Sequence, residues 1–114
     1  MGVPVRQRVR LSTDFERLRE KGRKIECGPF LMRAMRNESG RRRLGVITSR
    51  RVGGAVLRNY GRRVFRELFR LHQDALPQGC DLLVVVRNGF DRFDFSQLRQ
   101  RYCKACEKLC DILR

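Results

Sequence analysis

The sequence predicts a single α+β domain spanning residues 1–114, with elements in the order α-β-β-β-α-β-α and helices packed on one small mixed sheet. Three observations predict it. A chain of 114 residues with 41% hydrophobic residues suits one domain with a genuine core. Apolar residues recur at helical spacing in two long segments, one mid-chain and one at the end. Short apolar runs bounded by Gly, Asn and Pro lie between them and read as strands.

Taken in order, Thr13-Asp14-Phe15-Glu16 has the form of a capping box and opens a helix over about residues 14–21, ending at Gly22. A brief strand around residues 24–27 precedes Gly28-Pro29. Residues 30–36 read as a strand, Asn37-Glu38-Ser39-Gly40 as a hairpin turn, and residues 43–49 as the strand that follows it. After Gly53-Gly54 the period becomes helical over residues 55–72. At 100° per residue, Leu57, Tyr60, Val64, Leu68 and Leu71 form an apolar arc with Phe65 at its edge. Arg58, Asn59, Arg62, Arg63, Arg66 and Arg70 cover the opposite arc, with Phe69 projected among them. Pro77 and Gly79 close this segment, and residues 81–87 form a continuous apolar run typical of a central strand. From Asp94 or Ser96 onward, Leu98, Tyr102, Ala105, Leu109 and Ile112 mark a closing helix.

Charge bears on function. The chain carries 27 Lys+Arg against 12 Asp+Glu, a net +15 that favours a polyanionic partner. The excess is localised: residues 1–24 carry net +5 and residues 41–70 net +9, whereas residues 25–40 balance and residues 71–114 carry only +1. A genome-wide enrichment of Arg has no reason to spare the last third. Arginines at 58, 62, 66 and 70, with Asn59 and Arg63 beside them, form a stripe interrupted only by Glu67. Like charges at i,i+4 repel, so the stripe is stabilised only by an anion laid upon it.

Other classes fit poorly. No apolar run approaches the roughly 18 residues of a membrane span, and the first eight residues hold no signal-peptide core, so a cytoplasmic protein without a membrane partner is expected. The five cysteines are expected to be free thiols. Cys103, Cys106 and Cys110 fit C-x2-C-x3-C, which with a fourth thiolate could ligate zinc or an iron–sulfur cluster. The same spacing borders the apolar arc of the last helix, where cysteine acts as a small hydrophobe, and packing is the reading adopted, with no metal held by the chain. His72 is the sole histidine and sits at a helix end; Asp91 and Asp94 suit helix capping. No residue of the chain is assigned a catalytic role.

The stretch Ser49-Arg50-Arg51-Val52-Gly53-Gly54-Ala55-Val56-Leu57-Arg58-Asn59-Tyr60-Gly61-Arg62-Arg63-Val64-Phe65-Arg66-Glu67-Leu68-Phe69-Arg70 resembles the signature of the protein subunit of bacterial ribonuclease P. In that family a basic strand end and a glycine turn lead into a helix bearing an Arg-Asn pair and basic pairs. Asp14-Phe15, Arg43-Leu44-Gly45 and Pro77-x-Gly79-x-Asp81 extend the likeness over most of the chain. The resemblance implies a ribosomal protein S5 domain 2-like fold and a subunit that binds a catalytic RNA. It implies, too, a hand in removing 5′ leaders from precursor tRNA, with Mg²⁺ at the holoenzyme held mainly by RNA and no obligate protein partner. Carried over by position, Arg58, Asn59, Arg62, Arg63 and Arg66 would contact the catalytic RNA, with Arg51 and Arg70 as further candidates on the same stretch. Phe15 would line the cleft for the single-stranded leader. The sequence departs from the pattern at Tyr60, usually Arg, at Gly54, usually Asn, and at Gly61 inside the helix. Two cleft positions often aromatic in relatives fall on Arg19 and Arg33, which implies a leader held more by charge than by stacking. A ribosomal or general RNA-binding protein without a processing role is the rival reading.

Overall fold

The computed structural model describes residues 3, 4, 7–9 and 12–113; Met1, Gly2, Val5, Arg6, Arg10, Leu11 and Arg114 lie outside the described residues. Its elements are α1 (Ser12–Lys21), β1 (Arg23–Glu26), β2 (Phe30–Arg36), β3 (Arg43–Thr48), α2 (Ala55–Leu71), β4 (Cys80–Val86) and α3 (Phe95–Ile112), in the predicted order. Short 3-10 turns precede α2 and α3 and follow α2.

The four strands form one mixed sheet in the order β1-β2-β4-β3, with β1–β2 and β2–β4 antiparallel and β3–β4 parallel. This corrects the expected hairpin. The chain does turn at Asn37, whose side chain accepts from the Ser39 amide and donates to the Arg41 carbonyl, but β3 does not pair with β2. β4 enters between them because its run Leu82-Leu83-Val84-Val85-Val86 is apolar on both faces and needs cover on both. The arginine-bearing β1 and β3 take the edges, where charge also discourages edge-to-edge pairing.

One sheet face packs under α2 and α3. Phe30, Met32, Ala34, Leu82, Val84 and Val86 point into this core and meet Phe65, Leu68, Phe69, Leu98, Tyr102 and Leu109, all buried. The Phe30 and Phe65 rings lie 4.7 Å apart at 60°. The other face carries a smaller cluster of Val9, Leu18 and Leu83, flanked by Phe15, Met35, Ile47 and Val85, and is covered by α1 and, through Val9, by the segment before it. Asp94 caps α3 through the capping box with Gln97, as its sequence position suggested. Thr13, by contrast, lies inside α1, which starts at Ser12, two residues before the expected start at Asp14, so Thr13 is not its cap. Cys80 and Cys106 are fully buried in the main core, and burial pushes both thiols up, Cys80 to about 12. Cys110 donates to the Ala75 carbonyl at 2.9 Å.

Candidate nucleic-acid interface

The basic helix α2 buries the middle of the arc that its periodicity suggests, Val64, Phe65 and Leu68, but not its two outlying members. Its buried stripe is Gly61, Val64, Phe65, Leu68 and Phe69, while Tyr60 and Leu71 are 38% and 49% exposed. Gly61 explains the roll. A Cβ there would stand 3.1 Å from the Phe90 ring and 3.5 Å from the Thr48 methyl, so the helix approaches β3 on its glycine. Phe69 then turns inward, and Tyr60 moves out to stack on Phe90 with centroids 5.8 Å apart.

The roll sorts the predicted residues into two rows. Asn59, Arg63 and Arg70 are exposed, whereas Arg58, Arg62 and Arg66 are half-buried on the flank. Arg62 donates to the Thr48 hydroxyl of β3 at 2.6 Å and to the Asn59 side-chain oxygen. The Arg58 Nε is buried without a partner. Burial, with the nearby positive charges of Arg8 and Arg62, pushes the Arg66 guanidinium down from its usual range. Asn59, Arg62, Arg63 and Arg66 border one shallow depression of about 410 Å³ with Val56 on its rim. Glu67 does not neutralise this surface, because Arg70 holds it through Nε at 3.0 Å and a second amino group, keeping its carboxyl below the usual carboxylate range. Arg51 is exposed in the 3-10 turn Arg50–Val52 that leads into α2.

On the other face, α1 is seated by three contacts. Leu18 is fully buried against Leu83, and the Phe15 ring lies on Gly45, where a Cβ would come within 2.9 Å of it. Asp14 lies 3.6 Å from Arg43, whose guanidinium donates to both oxygens of the buried Asp81 at 2.8 and 2.7 Å. Asn37 adds a 2.6 Å bond to the same carboxylate. Arg33, on β2, donates to the Arg19 carbonyl at 3.1 Å and so caps the last turn of α1. Arg19 and Arg33 therefore adjoin at one end of α1, while Phe15 turns toward β3. Beside α1, the aligned residues Leu31, Val85 and Ile47 form a half-buried apolar row across β2, β4 and β3.

The sequence reading missed the structural parts of this surface. Gly45 inside a strand was the available signal for a close approach, and Asp81 heading an apolar strand was the signal for a buried ion pair. It also missed Arg8, which bridges to Leu44 on the open edge of β3. On the far edge of the sheet, Arg101, Lys104 and Lys108 of α3 line a shallow pocket with β1, a basic strip hidden in the near-neutral sum of the last third.

The family model described as Ribonuclease P matches residues 3–110 of the chain. The ribonuclease P protein component of Desulfotalea psychrophila is 34% identical over 104 residues, covering 91% of this chain and 87% of that protein. Among solved structures, the ribonuclease P protein from Thermotoga maritima superposes with a TM-score of 0.80 at 30% identity, covering 89% of this chain and 96% of the other. The ribonuclease P protein of Staphylococcus aureus also gives 0.80, at 27% identity, covering 95% and 98%.

Proposed function

The chain belongs to the ribonuclease P protein family, and from that premise we propose that it binds the catalytic RNA through α2 and the 5′ leader of precursor tRNA beneath α1. In this reading Arg58, Asn59, Arg62, Arg63 and Arg66, with Arg51 and Arg70 at the ends, meet the RNA subunit. Phe15, Arg19 and Arg33 serve the leader. The observation that carries the proposal is the exposed side of α2, where Asn59, Arg62, Arg63 and Arg66 border one depression and Glu67 is already paired with Arg70. Unneutralised guanidinium groups at that spacing repel one another in the free protein, and phosphates relieve the repulsion.

The leader reading rests on the open row Leu31, Val85 and Ile47 beside α1. Bases can lie on this apolar strip while Arg33, one row away on β2, reaches a phosphate with the donors not spent on Arg19. Mg²⁺ in this reading belongs to the RNA. Asp14 and Asp81 are both engaged by Arg43, and among the described residues no group of three His, Cys, Asp or Glu side chains is placed to hold a metal. In this reading the RNA carries out the phosphodiester hydrolysis, and the chain's share is to bind and position. The holoenzyme needs no other protein in this reading, and the compartment expected is the cytoplasm; no helix among the described residues is long and apolar enough to cross a membrane.

Reconstitution tests the proposal. Added to a bacterial ribonuclease P RNA at low Mg²⁺, the chain is expected to stimulate precursor tRNA cleavage and to cleave nothing alone. Arg63→Gln should weaken catalytic-RNA binding and lower its salt slope by roughly 1, the share of one phosphate contact. Absence of stimulation, with tight binding to ribosomal RNA instead, would establish the rival reading.

A further inference from the structure

The apolar row beside α1 does not stop at β2. Ile47, Val85 and Leu31 are aligned across β3, β4 and β2, and the register carries the row on to Glu26 of the edge strand β1. With neighbouring strands about 4.8 Å apart the row is about 14 Å long, room for about four nucleotides at a rise of about 3.4 Å each. A longer strand laid on it has to leave the sheet over β1.

The far side of that edge is basic. β1 and the turn after it face α3 across a groove of about 250 Å³, where Arg101, Lys104 and Lys108 stand over Ile25, Cys27 and Ala105. The three cations fall at i, i+3 and i+7, one stripe of the helix about 10 Å long. Arg101 and Lys104 also border a second depression toward the start of α3, with Phe93 and Gln97. Among the described residues Glu26 is the one acid lining the groove, and it is already held by Arg87 at 2.6 Å and Lys24 at 3.5 Å.

Two features suit this edge to phosphate. Arg101 is fixed in place: it donates to the Cys27 carbonyl at 3.0 Å, its guanidinium lies 5.0 Å from the Phe93 ring centroid, and it lies against Gly28, where a Cβ would come 3.0 Å from its Nη1. A guanidinium held in this way loses little side-chain freedom on gaining a further partner. On the α1 side of the same edge, Lys24 stands directly opposite Arg33, and like charges in that position repel until an anion joins them. Cations thus line both sides of β1, along the line on which a strand leaving the apolar row would travel.

We propose that the distal part of the precursor leader crosses β1 beside Glu26 and enters the groove under α3, its phosphates met by Arg101, Lys104 and Lys108. The proposal rests on the leader reading above and extends it to a face of the protein that neither RNA surface includes. It makes affinity for precursor tRNA depend on leader length, through contacts that are indifferent to leader sequence, and it gives the last helix a binding role beside its place in the core.

The experiment compares Lys104→Gln/Lys108→Gln with Arg41→Gln/Arg99→Gln, which removes two exposed charges elsewhere, on the β2–β3 turn and on another side of α3. Holoenzymes reconstituted with each are titrated with precursor tRNAs whose leaders are stepped from about 2 to about 16 nucleotides, at several salt concentrations. The wild-type affinity is expected to rise with the first nucleotides and to rise again once the leader reaches the groove. The lysine variant should lose the second rise alone, about fivefold in affinity, with a salt slope lower by about 1.4 for long leaders and unchanged for short ones. The control should follow wild type at every length. A wild-type curve without a second rise, or a lysine variant that matches the control at all lengths, overturns the proposal while the first rise leaves the leader reading standing. An equal loss at every length, with weaker binding of the catalytic RNA, also overturns it and gives the groove to the RNA subunit. Absence of any rise with leader length in the wild type is failure of the leader reading itself.

Discussion

The orientation of α2 decides which side chains face RNA, and a pair of substitutions tests it. Periodicity alone puts Leu71 in the core and Phe69 among the arginines; the structure buries Phe69 completely and leaves Leu71 49% exposed. Truncating a fully buried Phe to Ala costs about 3–5 kcal/mol in transfer and cavity terms. Full burial of a Leu side chain contributes about 1.5–3 kcal/mol, so the buried half of Leu71 accounts for about 1, part of which alanine's better helix propensity offsets. At about 0.05–0.15 kcal/mol per residue, a domain of this size has about 6–17 kcal/mol in all. Phe69→Ala thus removes a large fraction of it, and Phe69→Leu, expected to cost about 1–1.5 kcal/mol, serves as the milder variant. Urea unfolding followed by far-UV circular dichroism gives the midpoint and slope for each. The expected order of destabilisation is Phe69→Ala, then Phe69→Leu, with Leu71→Ala last. If Leu71→Ala cost as much as Phe69→Ala, the roll onto Gly61 would be wrong, and with it the division of the arginines into flank and outer rows.

Two further outcomes follow from groups outside α2. Asp81→Ala leaves Arg43 without its main acceptors and should destabilise by about 3 kcal/mol, the low end for a broken buried pair because Arg43 keeps Asp14 and some solvent. Asp14→Ala should cost under about 1 kcal/mol, and denaturation giving the reverse order would contradict the seating of α1. Burial raises the Cys27 thiol to about 11 and Cys80 to about 12, from an ordinary value of 9.0. The unfolded chain therefore releases these protons before the native one does, and their contribution to stability, complete below pH 9, declines as the pH climbs toward 11–12. The urea midpoint should be lower at pH 10 than at pH 8, and iodoacetamide at pH 8 should leave native Cys27 and Cys80 unlabelled; rapid labelling of Cys80 would show that it is not packed as described.

Legibility in the sequence followed the range of the forces involved. α3 could be read because its signals are local: Asp94 and Gln97 form the cap, and Leu98, Tyr102, Ala105 and Leu109 all reach the core. β4 could be placed centrally because an apolar run has to be covered on both faces. The neighbour of β2 could not, since a turn at Asn37 reports a change of direction and not which strand fills the space beside it. The margins of the buried face of α2 were misread for a related reason, although Val64, Phe65 and Leu68 lie in the core as expected. Tyr60 and Leu71 are apolar enough to extend the arc one way and Phe69 the other, and only the contact of Gly61 with Phe90 decides between them. A glycine that weakens a helix by about 1 kcal/mol relative to alanine was itself the clue that something must come close.

The insertion of β4 also accounts for where the basic surfaces lie. Had β2 and β3 paired as a hairpin, β3 would have been an inner strand and the apolar β4 an exposed edge. With β4 inside, β3 is an edge whose two faces and open backbone are all within reach of other elements. Thr48 receives Arg62 on the α2 side, Gly45 receives Phe15 on the α1 side, and Leu44 pairs with the segment carrying Arg8 and Val9 along the edge. One six-residue strand thus positions the arginine flank, the leader aromatic and the N-terminal cation together. A substitution that moves β3, such as Gly45→Val driving a side chain into the Phe15 ring, should disturb α1 without touching the outer row of α2. Leader-dependent binding should then fall while catalytic-RNA affinity holds, and an equal loss of both would mean that β3 does not separate the two surfaces.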